Sequence, residues 1–173
     1  TDGINWSTAL IPGGLLWNGV TYGADRFVAV SFDAAANGAN NIAYSTDGVT
    51  WTRTGLTGDS TARFTSIAFG GGKYLAVGNK QASSSDGVTW SVVGTAKNLT
   101  NVVYVLSQYV AFGAANGALA QYSADGVSWT NTSLGGGIVP SSGAFTIGAF
   151  GGSRFVIIAS GDGQVAYSAD ARN

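Results

Sequence analysis

At 173 residues with 45% hydrophobic side chains, the chain is long enough to bury a sizeable core in one domain spanning 1–173. Only 10% of its residues are charged and the net charge is −1, which argues against nucleic acid or an anionic membrane as partner. Cys and His are absent, removing disulfides, thiol chemistry and nearly all transition-metal sites, so no metal or cofactor is expected. No apolar run approaches the roughly 20 residues of a bilayer span, and membrane insertion is not expected.

The chain opens on Thr1-Asp2-Gly3-Ile4-Asn5-Trp6 and returns to the phrase at Thr46-Asp47-Gly48-Val49-Thr50-Trp51, Ser85-Asp86-Gly87-Val88-Thr89-Trp90 and Ala124-Asp125-Gly126-Val127-Ser128-Trp129. A fifth copy begins at Ser168-Ala169-Asp170, and the aspartates stand 45, 39, 39 and 45 residues apart. Periods of roughly 40–45 residues suit propeller blades, and such a unit must stack on copies of itself to bury its apolar face.

Each repeat holds the same succession of elements. An innermost strand is expected at 17–22, 64–69, 99–104 and 145–150. A second strand, apolar on both faces, follows at Arg26–Val30, Lys73–Val77, Gln108–Phe112 and Arg154–Ile158. Such a run is expected where neighbours cover both faces. Asn79-Lys80, Asn116-Gly117 and Asp162-Gly163 then read as tight turns suited to positive φ. A third strand leads into the box, as in Ile42–Ser45, 120–123 and Val165–Ser168, with Ser83 standing where the other repeats carry Tyr. The Trp-bearing segment is the fourth strand. The pattern predicts an all-β protein, a small β-propeller of four four-stranded blades with repeats near 9–54, 55–93, 94–132 and 133–170 plus 1–8. The strand expected at Ile4–Thr8 completes the last blade and closes the ring. A larger ring of two chains, each completing the other, fits the same pattern.

The motif Ser-x-Asp-Gly-x-Thr/Ser-Trp resembles the Asp-box, or BNR repeat, of sialidase-like, secreted bacterial and phage tail or surface proteins. It covers Asp2, Gly3 and Trp6; Ser45, Asp47, Gly48 and Trp51; Ser84, Asp86, Gly87 and Trp90; Ser123, Asp125, Gly126 and Trp129; and Ser168 and Asp170. The resemblance implies that these turns are structural and lie opposite the ligand face. It also brings sialidase activity into question. Sialidases use three arginines, a Tyr activated by a Glu, and an Asp. This chain has no Glu, and Arg26 and Arg154 share one repeat position with Lys73. No carboxylate pair of the kind a glycosidase needs is recognisable, and no catalytic residue is expected.

The face opposite the boxes carries loops of varying length rich in Asn, Asp, Ser, Thr and Gly. Such surfaces on a rigid scaffold suit ligand recognition. Candidate ligand residues are Asp33, Asn37, Asn40, Asp59, Lys80, Lys97, Asn98, Asn116 and Asp162, although several are also what tight turns require. The expected function is non-catalytic recognition of glycans or another cell-surface component, outside a cell, in a phage tail or secreted adhesin. The alternative is a structural domain that packs only against sister chains in an extracellular or virion assembly.

Overall fold

The computed structural model describes residues 3–33, 40–59, 61–94, 99–113, 119–132, 145–159 and 163–172. All named elements are strands. The first sheet contains β1 (Trp17–Gly23), β2 (Arg26–Ser31), β3 (Ile42–Ser45) and β4 (Thr52–Thr54). The second contains β5 (Phe64–Gly70), β6 (Lys73–Gly78), β7 (Gln81–Ser84) and β8 (Ser91–Gly94). The third contains β9 (Leu99–Val105), β10 (Gln108–Gly113), β11 (Leu119–Ser123) and β12 (Thr130–Thr132), and the fourth β13 (Phe145–Gly151), β14 (Arg154–Ala159) and β15 (Val165–Ser168). Each sheet is an antiparallel meander with its strands in chain order.

The expected inner, second and third strands are found with ends within a residue or two. The fourth strands begin just after the tryptophan rather than on it, and Trp90 instead makes an isolated parallel bridge to Leu56. Residues 4–8 carry no strand, and among the described residues the fourth sheet has three strands.

Two-fold alternation along the second strands builds the core. Val28 and Val30 of β2 face forward into a cluster that Tyr74 and Ala76 of β6 enter from behind. Leu75 and Val77 then face forward to Val102, Tyr109 and Ala111, and Val110 and Phe112 to Phe155 and Ile157. The middle sheets are therefore covered on both faces, as the unbroken apolar runs require.

Of the turns expected to take positive φ, Gly163 does so at 70°, and a second set of turns does so as well. The two residues between first and second strands are left-handed in every sheet: Ala24-Asp25 (42° and 57°), Gly71-Gly72 (55° and 79°), Leu106-Ser107 (51° and 59°) and Gly152-Ser153 (56° and 63°). Both central residues at positive φ match the right-handed twist of the flanking strands. Asn79 and Lys80 are not left-handed; the Asn79 side chain instead accepts from Arg63 N at 2.8 Å and donates to Thr61 O at 2.9 Å. Asn116-Gly117 and Asp162 lie outside the described residues.

Neighbouring sheets are joined at these hairpins. The Tyr109 hydroxyl shares its one proton between Gly70 O at 2.6 Å and Lys73 O at 2.8 Å. Tyr74 reaches Gly23 O and Arg26 O in the same way. Gly23 and Gly70 carry no side chain because a Cβ there would strike the Phe69 and Tyr104 rings of the following sheet. At the third junction Val105 fills that place, and Phe150 is left 40% exposed.

The two carbonyls held by the fully buried Tyr109 lose their hydroxyl donor in Tyr109→Phe. That variant is expected to lose about 1–3 kcal/mol of stability, read as a lower urea midpoint with an unchanged slope.

Candidate functional site

The recurrent Asp-Gly turns are closed hydrogen-bonding units. Ser45 Oγ donates to Asp47 Oδ1 at 2.8 Å and accepts from Gly48 N at 2.9 Å. Asp47 Oδ1 also accepts from Val49 N and Thr50 N at 2.8 and 2.7 Å, while Trp51 Nε1 donates to Gly48 O at 3.2 Å. The same bonds recur around Asp86, with Trp90 buried. They recur around Asp125 too, except that the buried Trp129 Nε1 has no partner. Trp6 Nε1 reaches Gly3 O at 3.1 Å; Asp2 lies outside the described residues. The last turn forms as well, with Ala171 at φ 57° where the others have Gly and with Ser168 and Asp170 bonded as in the other copies.

These bonds favour the charged carboxylates. Backbone N–H donors hold Asp125 down at about 2 against an ordinary 3.8 and push Asp47 lower still. At Asp86 burial pulls upward, but donation from Thr89 and Val88 outweighs it and leaves about 2. Each turn consumes its own carboxylate, which fits an anchoring part for these residues.

At the opposite end of the first two sheets, several candidate ligand residues join one rim. Asp33 Oδ2 accepts from Leu16 N at 2.6 Å, and Phe32 N donates to Leu16 O at 3.1 Å. The Arg63 guanidinium lies 5.9 Å from the centre of the Phe32 ring. Arg63 N in turn bonds Asn79, Asn79 bonds Thr61 O, and Thr61 N bonds Asp59 at 2.9 Å. Asp59 completes the run with an ion pair to Lys80, whose ammonium holds the carboxyl at about 2 with help from Thr61 N–H. Asn40 stands beside this rim and gives its carbonyl to Arg53 at 2.8 and 2.6 Å. Candidates Asn37, Lys97, Asn98, Asn116 and Asp162 lie outside the described residues.

Two rim features, and one at the Asp-Gly end, escape the motif reading. Asn41 is buried and donates to Ala62 O at 2.7 Å, tying the first sheet to the second. Phe32 and Arg63 form an exposed aromatic–guanidinium pair although neither belongs to a recurring phrase. The departure of repeat two at Ser83 also has a structural result. Ser83 pairs with Leu75 as Tyr44 pairs with Val28, and a shallow 330 Å³ depression lined by Lys73, Ser83, Ser84, Ser85, Thr89 and Ser91 opens there. Where the Tyr is present, a cation covers it: Arg26 lies 5.2 Å over Tyr44 and Arg154 5.1 Å over Tyr167.

Among solved structures, YCF48 from Cyanidioschyzon merolae superposes with a TM-score of 0.66 at 13% identity, over 90% of this chain and 53% of that one. YCF48 bound to a D1 peptide gives 0.64 at 18%, over 96% and 54%, and the nidogen/laminin complex 0.68 at 12%, over 91% and 62%. The chain has a β-propeller architecture. It spans 53% to 62% of the length of these propellers. Glycoside hydrolases also stand among the matching folds. No family model and no curated protein matches the sequence.

The folded pKa values near 2 lie below the ordinary 3.8, so the stability they carry is complete above about pH 4 and lost as pH falls toward 2. Urea midpoints are expected to be level above about pH 4.5 and to fall below pH 4. Asp125→Asn is expected to make that fall shallower.

Proposed function

We propose that this protein is a non-catalytic recognition module whose ligand side is the rim opposite the Asp-Gly turns. The observation that carries the reading is the exposed Phe32–Arg63 pair, set beside the Asp59–Lys80 ion pair on loops of unequal length. An exposed ring with adjacent cations and amides suits a glycan, whose apolar sugar face stacks while its hydroxyls find donors and acceptors. At the rim, the Lys80 ammonium holds the Asp59 carboxyl low, the opposite of the raised value a glycosidase acid needs, which supports binding by this group. The likeness of the turns to the Asp-box favours a setting outside a cell, in a secreted adhesin or phage tail. The reading of the repeat also makes residues 4–8 the missing fourth strand of the last blade, in the same chain or in a second copy.

A second reading, an assembly domain that packs against protein chains, is favoured by the apolar outer faces of the first and last blades. The two readings use different surfaces and are compatible.

A glycan array probed with the whole chain tests the first. Saturable binding to one sugar family is expected, weakened at least tenfold in Phe32→Ala and Arg63→Ala with unchanged melting temperatures. A folded sample that binds no glycan overturns it.

A further inference from the structure

We propose that the first and last blades dock on a second copy of this chain, head to tail, so that two four-bladed arcs close one ring. The inference rests on the assembly reading and names its partner. Between consecutive blades the same positions meet at every junction, and the two outer faces present the unmatched halves of that junction.

On the first blade Val20 and Tyr22 are 63% and 54% exposed. By strand register they correspond to Ile67 and Phe69 of the second blade, where Ile67 is buried against the first and Phe69 covers Gly23. On the last blade Ile158, Val165 and Tyr167 are 46%, 48% and 67% exposed. Their counterparts Val30 and Ile42 are fully buried, and Tyr44 packs on the same core. Gly151 holds the place of Gly23 and Gly70, and nothing lies within 4 Å of a Cβ built there. Tyr22 of a second copy fits that empty seat, as Phe69 fits Gly23 and Tyr104 fits Gly70.

The polar reach across the junction is repeated as well. Arg26 donates to the Asp86 carbonyl of the next blade, Lys73 Nζ to Asp125 O at 3.3 Å and Gln108 Nε2 to Asp170 O at 3.0 Å. Arg154 occupies the fourth such position, stacked on Tyr167 as Arg26 is on Tyr44, and the matching acceptor is Asp47 O of the second copy. Thr65 and Thr100 donate to Leu99 O and Phe145 O of the following inner strand at 2.7 and 2.6 Å; Thr146 is placed to do the same toward Trp17 O. Phe27 takes the part of Phe155, which serves the third junction without a hydroxyl.

A second copy is favoured over the chain's own first blade by the curvature. The arc superposes on propellers of which it covers 53% to 62%, and β1 packs on β5, β5 on β9 and β9 on β13 with no comparable packing of β13 on β1. Two arcs give 4 + 4 blades, within the roughly 4–8 of known propellers. A head-to-tail contact closes or propagates according to its rotation.

Light scattering on the eluting chain tests this. The expected mass is twice 17.4 kDa, and Val20→Asp and Gly151→Leu are each expected to give monomers that keep their β-sheet circular dichroism. Mixing these two monomers restores a dimer through the one junction made of two intact faces, which a self-complementary interface does not do. Open polymers, or a mixture that stays monomeric, overturn the proposal. A monomeric parent that binds a hydrophobic dye, with binding lost in Val20→Asp, overturns the second copy and leaves the assembly reading standing. A monomer with no dye binding overturns both.

Discussion

The structure depends on a bond between the side chains of one sheet and the backbone of the next. Tyr74 and Tyr109 reach back to the carbonyls at both ends of the preceding hairpin turn. Arg26, Lys73 and Gln108 reach forward to the carbonyl of the following Asp-Gly turn. The second strands β6 and β10 thus each tie their sheet to two others, and apolar burial between the ties supplies most of the driving force. Since the receiving atoms are carbonyls, the receiving residues are free to vary. Gly23 and Gly70 are exceptions because a ring lies where their Cβ would be. This freedom explains how repeats whose forward donors are Arg, Lys and Gln still stack in one geometry.

The Asp-Gly turn makes that acceptor available. One carboxylate oxygen, Oδ1, accepts from the turn's own Ser hydroxyl and from two N–H groups, which fixes the backbone so that the Asp carbonyl points at the neighbouring blade. The carboxylate organises the turn and the main chain makes the link, so the most conspicuous charges in the sequence serve architecture. Side chains with spare surface gather at the other end, where Phe32, Arg63, Lys80 and Asp59 are held by a run of bonds from Leu16 to Thr61.

The strands were legible because their signal is local: β-branched and aromatic runs at a fixed spacing, each ended by Gly or by the box. The site was only partly so. Asp33, Asp59 and Lys80 could be picked as polar loop residues, but their joining through Asn79 and Arg63 depends on contacts across two sheets that no spacing records. The turn geometry is only partly legible for a related reason: Gly163 takes the positive φ its Asp-Gly pair suggests, and Asn79-Lys80 does not. Leu106-Ser107 and Ala24-Asp25 adopt it against their own preference, because strands fixed on both faces impose a two-residue connection there. Arg63 is legible only as a cation near the polar loops, and Phe32 gives no signal because it does not recur from repeat to repeat.

The outer blades are composed like inner ones. In a linear repeat array, terminal units ordinarily replace apolar positions with polar ones, because each has lost one of its two interfaces. The outer faces of the first and last blades keep Val20, Tyr22, Ile158 and Tyr167 at positions whose inner counterparts are largely apolar, such as Ile67, Phe69, Val30 and Tyr44. Gly151 likewise keeps the absent side chain that Gly23 and Gly70 need only because a ring lies against them. A glycine with open space beside it has no local reason to be there, and its φ lies outside the left-handed region that would demand one. The sequence of both ends is therefore that of a blade with neighbours on each side.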